Sequence, residues 1–211
     1  MRAKRLALVA IAVVFALVCG PVLCSVLMAQ GALSEYGKLL ADLKGGNTQI
    51  DFLRLRMSWV TSPEREHAVN VSATQKVMFT AMQGKDYAAA LKAAEAVLDG
   101  EYVNIDAHMV ASMAAKQTGA DDKADFHRAV VTGLLDSIRH SGDGKSAKTA
   151  WVVINTHEEY SMLRAFGLRP AGQALIHQDG HSYDQMKATE QDGTEQTFYF
   201  NVDIPMKHYG I

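Results

Sequence analysis

The pattern of apolar residues changes near residue 148, and this change limits the folds open to the chain. From residue 33 to about 140, helix formers dominate, helix-ending signals such as Gly45-Gly46 and Gly119 recur, and strand signals are scarce. From about 148 to 205, short β-branched runs alternate with Asp-Gly dipeptides, which are typical of hairpin turns. The sequence therefore predicts an α+β fold, in which N-terminal helical hairpins pack on a small C-terminal antiparallel β-sheet.

Turn and capping signals divide the helical part into separate helices. Asn104 or Asp106 is expected to cap one helix, and Asp121 or Asp122 the next. The predicted helices span 33–43, 50–60, 63–82, 86–98, 104–118 and 121–140.

The sheet part is predicted from four short segments and two turns. Strands are expected over Ala150–Asn155, Ala174–His177, His181–Thr189 and Thr197–Ile204, with a helix over His157–Phe166. Asp179-Gly180 and Asp192-Gly193 supply the hairpin turns, so the strands form an antiparallel meander with one inserted helix.

The N-terminus has the layout of an export signal. A basic start of Arg2, Lys4 and Arg5 precedes an apolar stretch over 6–29, and the first acidic residue is Glu35. This pattern predicts a signal peptide over 1–31, with an uncleaved membrane anchor as the alternative. Residues 32–211 are then a single α+β domain, exported across the cytoplasmic membrane to the periplasm or the exterior. Both cysteines lie in the N-terminal segment, so cleavage would leave neither disulfides nor thiolate metal sites.

Charge and motif spacing argue against nucleic acids and nucleotides as partners. The formal net charge is −2 and the basic residues are not clustered. The run 141–146 contains Gly-Lys-Ser, but Arg139 stands where a phosphate loop needs glycine, and a helix precedes the run where a strand is required. We therefore interpret it as a helix-ending turn, with Gly142 or Gly144 at positive φ.

The stretch Lys85–Gly119 carries small and apolar residues at the spacing of a helical repeat. They are Asp86-Tyr87, Ala90-Leu91, Val97-Leu98, Ala107, Ala111 and Gly119. This stretch resembles a degenerate tetratricopeptide repeat, which implies an αα-hairpin; a peptide-binding solenoid would need about three repeats.

Several longer motifs run through the remainder of the chain. They are Asp51-Phe52-x-x-Leu55-Arg56, Asn104-Ile105-Asp106-Ala107-His108, Phe126-His127, Asp136-Ser137-Ile138 with Ser141-Gly142-Asp143-Gly144-Lys145, Glu158-Glu159-Tyr160, Gly180-His181-x-Tyr183-Asp184 and Tyr199-Phe200-Asn201-Val202. With these motifs the chain resembles, from Ile50 to Ile204, a bacterial family catalogued as domain of unknown function family 4919. The resemblance implies an exported protein and brings no reaction with it.

Imidazole and carboxylate side chains within these motifs are candidates for acid–base or metal chemistry. The candidate catalytic residues are His108, His127, Glu158, Glu159, His181 and Asp184. The candidate metal ligands are Asp106, His108, His127 and His181. The alternative is that these groups form internal hydrogen bonds between the helices and the sheet. On adjacent helices His108 and His127 can face each other, whereas on one strand His181 and Asp184 point to opposite faces.

Two weaker patterns point to other chemistry. Ser137 or Ser141 near His140 suggests a serine nucleophile, but the chain lacks a nucleophile elbow. The aromatic residues near the C-terminus suggest a ligand platform, although alternating aromatics on a strand more often pack in a core. These residues are Tyr183, Phe198, Tyr199 and Phe200.

Taken together, the sequence predicts a non-catalytic binding or envelope-associated module with an unknown protein, peptide or envelope ligand. The alternative is a hydrolase or lyase that depends on the His, Glu and Asp candidates, with or without a divalent metal. No cofactor is predicted, and contact with the membrane is expected only through an uncleaved N-terminal segment.

Overall fold

The computed structural model describes residues 33–66, 68 and 70–210, so the predicted signal or anchor over 1–31 lies outside the described residues. From Ser34 onward the chain forms one compact unit. Within the described part, no helix is long and apolar enough to cross a membrane. The helices there are α1 (Glu35–Lys44), α2 (Phe52–Val60), α3 (Pro63–Glu66), α4 (Ser72–Gln83), α5 (Tyr87–Gly100), α6 (Ile105–Gln117), α7 (Asp121–Arg139), α8 (Thr156–Ala165) and α9 (Asp203–Tyr209). The strands are β1 (Trp151–Val152), β2 (Arg169–Gln178), β3 (His181–Thr189) and β4 (Glu195–Asn201), and a 3₁₀ turn spans Ala147–Thr149.

Side-chain caps set the starts of several helices. The Asn104 side chain accepts a hydrogen bond from the N–H of Ala107 at the start of α6, and Asn155 does the same for Glu158 in α8. The prediction of a single helix over 63–82 is wrong, because α3 ends at Glu66 and α4 starts only at Ser72. The α+β class, with helices before the sheet, is confirmed.

The sheet is mixed, so the prediction of a wholly antiparallel sheet is wrong. Its strand order is β1-β4-β3-β2, and the β2–β3 and β3–β4 pairs are antiparallel. Strand β1 pairs parallel with β4, with Trp151 opposite Phe200. The physical reason is connectivity: α8 and the β2–β3 hairpin separate β1 from β4, and this long crossover lets the two strands run in the same direction.

The last predicted strand ends earlier than expected and is followed by a helix. Strand β4 stops at Asn201, whose side chain accepts a hydrogen bond from the N–H of Asp203 at the start of α9. Gly210 ends α9 in the left-handed conformation, at φ 73°. Local hydrogen bonding therefore overrides the apolar alternation that continues to Ile204 in the sequence.

Two hydrophobic clusters hold the unit together. The larger joins α1, α2 and α7 to the sheet and contains Leu55, Leu134, Met162 and Phe200. The smaller lies between α4, α5 and α6 and is rich in alanine, which allows these helices to approach closely. Helix α8 contacts both α6 and strand β2, and it carries two of the polar candidates, Glu158 and Glu159.

Candidate functional site

Glu158 in α8 is held in a buried ion pair with the helical part. Its two carboxylate oxygens accept hydrogen bonds from Nε and Nη2 of Arg56, at 2.8 and 2.5 Å. The N–H of Ile154 also donates to Glu158, and Arg56 donates further to Ser137 and to the C=O of Val152. Both charged side chains are almost fully buried. Because every polar atom of the pair is engaged, this arrangement ties α2, α7 and α8 together.

Glu159, the next residue, faces the sheet and forms an acid pair. Its side chain is fully buried, no N–H or O–H group donates to either of its oxygens, and its polar neighbour is the Asp184 carboxylate. Burial, followed by the negative charge of Asp184, raises the pKa of Glu159 to about 9. Glu159 is therefore protonated at neutral pH beside Asp184, which accepts a hydrogen bond from Nε2 of Gln173 at 2.6 Å.

His108 and His127 face each other across α6 and α7, as the sequence predicts. Their Nδ1 atoms lie 2.8 Å apart, and Nε2 of His108 lies 2.9 Å from the C=O of Tyr102. The geometry assigns Nε2–H to His108 and Nδ1–H to His127, so that each short contact has one donor. Desolvation, as the largest cause, lowers the pKa of His108 to about 3 and that of His127 to about 4. Both rings are therefore neutral at pH 7.

Asp106 and His181 lie in separate interactions. Asp106 is buried and accepts hydrogen bonds from Ser161, at 2.8 Å, and from Arg164, which joins α6 to α8. His181 is exposed at the start of β3, and its Nδ1 lies 2.6 Å from the Asp203 carboxylate. Among the described residues, no three His, Cys, Asp or Glu side chains come together in a way that could hold a metal ion. The catalytic and metal-binding roles of the candidates stay predictions.

The run 141–146 forms a turn packed against Trp151. The C=O of Gly142 accepts a hydrogen bond from Nε1 of Trp151, and a Cβ on Gly142 would lie 2.2 Å from the C=O of Thr149. Gly144 has φ 69°, as the turn interpretation predicts for one of the two glycines. Backbone N–H groups of this turn are used within the fold, since that of Gly144 donates to Thr149.

The serine and aromatic candidates also have internal partners. Ser137 is buried beside Arg56, and Ser141 donates to the C=O of Ile138. Phe200 is fully buried, and Phe198 stacks on Trp151 with ring centroids 5.4 Å apart. Tyr183 and Tyr199 belong to a small apolar cluster with Ala147 and Ala150.

A groove of about 490 Å³ is the site that the sequence analysis missed. It lies where α2, α3, α4, the end of α5 and the start of α8 meet. Its polar lining includes Arg65, Gln75, Glu101, Asn155 and His157, and we call it the polar groove.

Glu101 is held in this groove by the caps of two helices. Its Oε2 accepts from Nδ2 of Asn104 at 3.0 Å, and its Oε1 accepts from Nδ2 of Asn155 at 3.2 Å. Each asparagine uses its side-chain oxygen to cap a helix and its amide N–H to orient Glu101. Burial raises the pKa of Glu101, while the nearby His157 and Arg65 act in the opposite direction. The result is a positioned carboxyl group with Arg65 and His157 close to it.

No signal in the sequence pointed to Glu101. The caps at Asn104 and Asn155 are local patterns, and Asn104 was singled out for that reason. That both amides converge on one carboxylate depends on the packing of α6 beside α8, which bring together residues 54 positions apart.

Comparison with known proteins adds the family. A family model described as "Domain of unknown function (DUF4919)" matches residues 51–210, most of the chain. No curated protein and no solved structure matches the chain, and the resemblance of Lys85–Gly119 to a tetratricopeptide repeat stays a prediction. The match confirms the resemblance that the long motifs indicated, and the chain therefore belongs to the DUF4919 family.

Proposed function

We propose that this protein is a non-catalytic binding protein of the bacterial envelope, and that the polar groove is its ligand site. The observation that carries the proposal is the placement of Glu101, whose carboxyl group is oriented by two capping amides and lines an open groove. A group held in this way is pre-organised for a ligand, because little side-chain entropy remains to be lost on binding.

The charges around the groove suggest the class of ligand. The carboxyls of Glu101 and Glu66 suit an ammonium group, whereas the Arg65 guanidinium and a ring N–H of His157 suit a carboxylate. Gln75, also in the lining, adds an amide that can donate and accept. A small zwitterion, such as a free amino acid or a short peptide with both termini, satisfies all of these groups.

The non-catalytic part of the proposal draws support from the sequence candidates. Glu158 forms an ion pair with Arg56, Glu159 is buried beside Asp184, and the two imidazoles bond to each other. These pairs use the reactive atoms of the candidates within the fold, on different sides of α6 and α8. They explain these residues as structural ties, between helices for the first and third pairs and between α8 and the sheet for the second.

The test is a thermal-shift and calorimetry screen with free amino acids and with di- and tripeptides. The same peptides acetylated at the N-terminus or amidated at the C-terminus report which terminus is recognised. We expect unmodified short peptides to raise the melting temperature and to lose this effect on acetylation. Glu101→Gln is expected to weaken binding at least roughly tenfold, a loss of about 1.4 kcal/mol.

Glu95→Gln is the matched control, because Glu95 is an exposed carboxylate of α5 outside the polar groove, paired with Lys123. This variant should bind as the unmodified protein does. Absence of any shift across the panel, or equal binding by both variants, contradicts the groove as ligand site. Release of amino acids from the peptides, lost in Glu101→Gln, would instead favour a hydrolase.

A further inference from the structure

Strand β2 forms a long free edge of the sheet. It spans ten residues, and nine of them, all except Ile176, are exposed. Strand β3 covers only one side of it, since the strand order ends at β2. A long edge strand with few charges is a template for pairing with another strand, unless a protein protects it with lysine, proline or a covering element.

The hydrogen-bond pattern decides which backbone groups face this edge. The N–H of Val202 donates to the C=O of Ser182, so the even-numbered residues of β3 bond to β4. The odd-numbered residues of β3 bond to β2, where they meet even-numbered partners, as Tyr183 meets Ile176. The remaining positions of β2 point their N–H and C=O outward, and these positions are Gln173, Leu175 and His177.

Within the described part of the chain, these outward groups have no hydrogen-bond partner. Beyond the bulge between Pro170 and Gly172 the free stretch ends, because Pro170 carries no N–H. At its centre lies Leu175, with 47% of its surface exposed. The edge is therefore a short, regular and partly apolar ladder of unpaired groups.

We propose that β2 pairs with β2 of a second copy of this chain, antiparallel about a twofold axis at Leu175. This register places Leu175 opposite Leu175 and Gln173 opposite His177 of the second copy. Each of these pairs exchanges both N–H···O=C bonds, so every outward group finds a partner. The two leucine side chains bury each other, and the sheets of the two copies become continuous.

Charge complementarity favours a second copy over an unrelated strand. Arg169 is exposed at one end of β2 and forms no ion pair with the described residues. Asp179 is exposed in the turn at the other end. In the antiparallel register, the bulge brings Arg169 of one copy level with the turn of the second copy. The twofold axis therefore gives two contacts, each between Arg169 of one copy and Asp179 of the other.

Disulfide trapping tests this register in the full chain, with Cys19 and Cys24 changed to serine and mild detergent present. Leu175→Cys places two thiols across the axis with their Cα atoms about 5.5 Å apart, within the range that a disulfide spans. We expect oxidation to give a covalent dimer. Met113→Cys is the matched control, because Met113 is 53% exposed on α6 and should remain uncross-linked.

Sedimentation velocity provides a second readout that does not depend on oxidation. Leu175→Lys sets two like charges against each other at the axis and is expected to weaken the dimer at least roughly tenfold. Leu53→Lys, an equally drastic change at an exposed leucine of α2, should leave it intact. The proposal is overturned if the unmodified protein sediments as a monomer at about 100 µM, or if Leu175→Cys and Met113→Cys cross-link equally. A monomer would mean that the free edge of β2 is open to a strand of another protein.

Discussion

Helix α8 is joined to the helical part and to the sheet by two neighbouring carboxyl groups in opposite protonation states. On the helical side Glu158 forms an ion pair with Arg56, whereas on the sheet side Glu159 keeps its proton beside Asp184. Both carboxyl groups are buried, and burial is the largest cause of the raised pKa of Glu159; the partners then differ, because a buried carboxylate is stable beside a guanidinium and costly beside another carboxylate. Burial by itself therefore says little about how a polar residue contributes to stability.

The largest expected effect comes from removing Arg56, the partner of Glu158 on the helical side of α8. Arg56→Met leaves Glu158 buried without its countercharge and should lower the free energy of unfolding by about 3–5 kcal/mol at pH 7. Urea denaturation followed by circular dichroism measures this loss. Arg54→Met, at an exposed arginine of the same helix, is the control and should lower the free energy of unfolding by less than about 1 kcal/mol. Similar losses in the two variants would show that the buried pair is not the main tie.

Replacing Glu159, on the sheet side of α8, should increase the free energy of unfolding at high pH, whereas Arg56→Met decreases it. In the unfolded chain Glu159 ionises near 4.5, whereas in the folded protein it holds its proton up to about 9. The stabilisation is therefore complete below pH 4.5 and declines as the pH rises toward 9. Glu159→Gln keeps a donor to Asp184 and should be more stable than the unmodified protein at pH 9, by about 2–4 kcal/mol.

Urea denaturation at pH 6, 7.5 and 9 measures the effect of Glu159→Gln. Glu195→Gln, at an exposed position of β4, is the control and should follow the unmodified protein at every pH. If the free energy of unfolding of Glu159→Gln falls with rising pH as much as that of the unmodified protein, Glu159 is not protonated in the folded state.

The smallest expected effect concerns the stability of the protein at acidic pH, where the buried His127 can take up a proton on unfolding. Because the folded-state pKa of His127 is about 4 and its ordinary value is 6.5, the folded protein binds fewer protons than the unfolded chain between these values. Stability should therefore fall as the pH drops through this range. The asparagine of His127→Asn can still donate a hydrogen bond to His108 but does not titrate. Between pH 7 and 5 the free energy of unfolding of this variant should therefore fall by about 1 kcal/mol less than that of the unmodified protein.

Acid unfolding of His127→Asn, followed by tryptophan fluorescence, provides this measurement. His140→Asn, at an exposed histidine at the end of α7, is the control. Equal acid sensitivity of all three proteins would mean that the buried histidine pair does not titrate on unfolding.

The secondary structure was largely open to prediction because its signals are local. The turn at Asp179-Gly180 and the start of β3 at His181 follow from a short sequence, as does the cap at Asn104. The break between α3 and α4 and the helix α9 were missed, because apolar periodicity continued through both segments. The parallel pairing of β1 was missed because strand direction depends on a distant crossover.

The sequence by itself determined the α+β class, the order of helices before strands, the family and the identity of the polar residues within its motifs. The contacts of the polar side chains depend on tertiary packing: Glu158 pairs with Arg56 and Glu159 lies beside Asp184, while Glu101, outside these motifs, accepts from two capping amides. The physical reason is that the charge state and availability of a side chain depend on neighbours brought by packing. Those neighbours lie up to 102 positions away in the chain, beyond the reach of any local pattern.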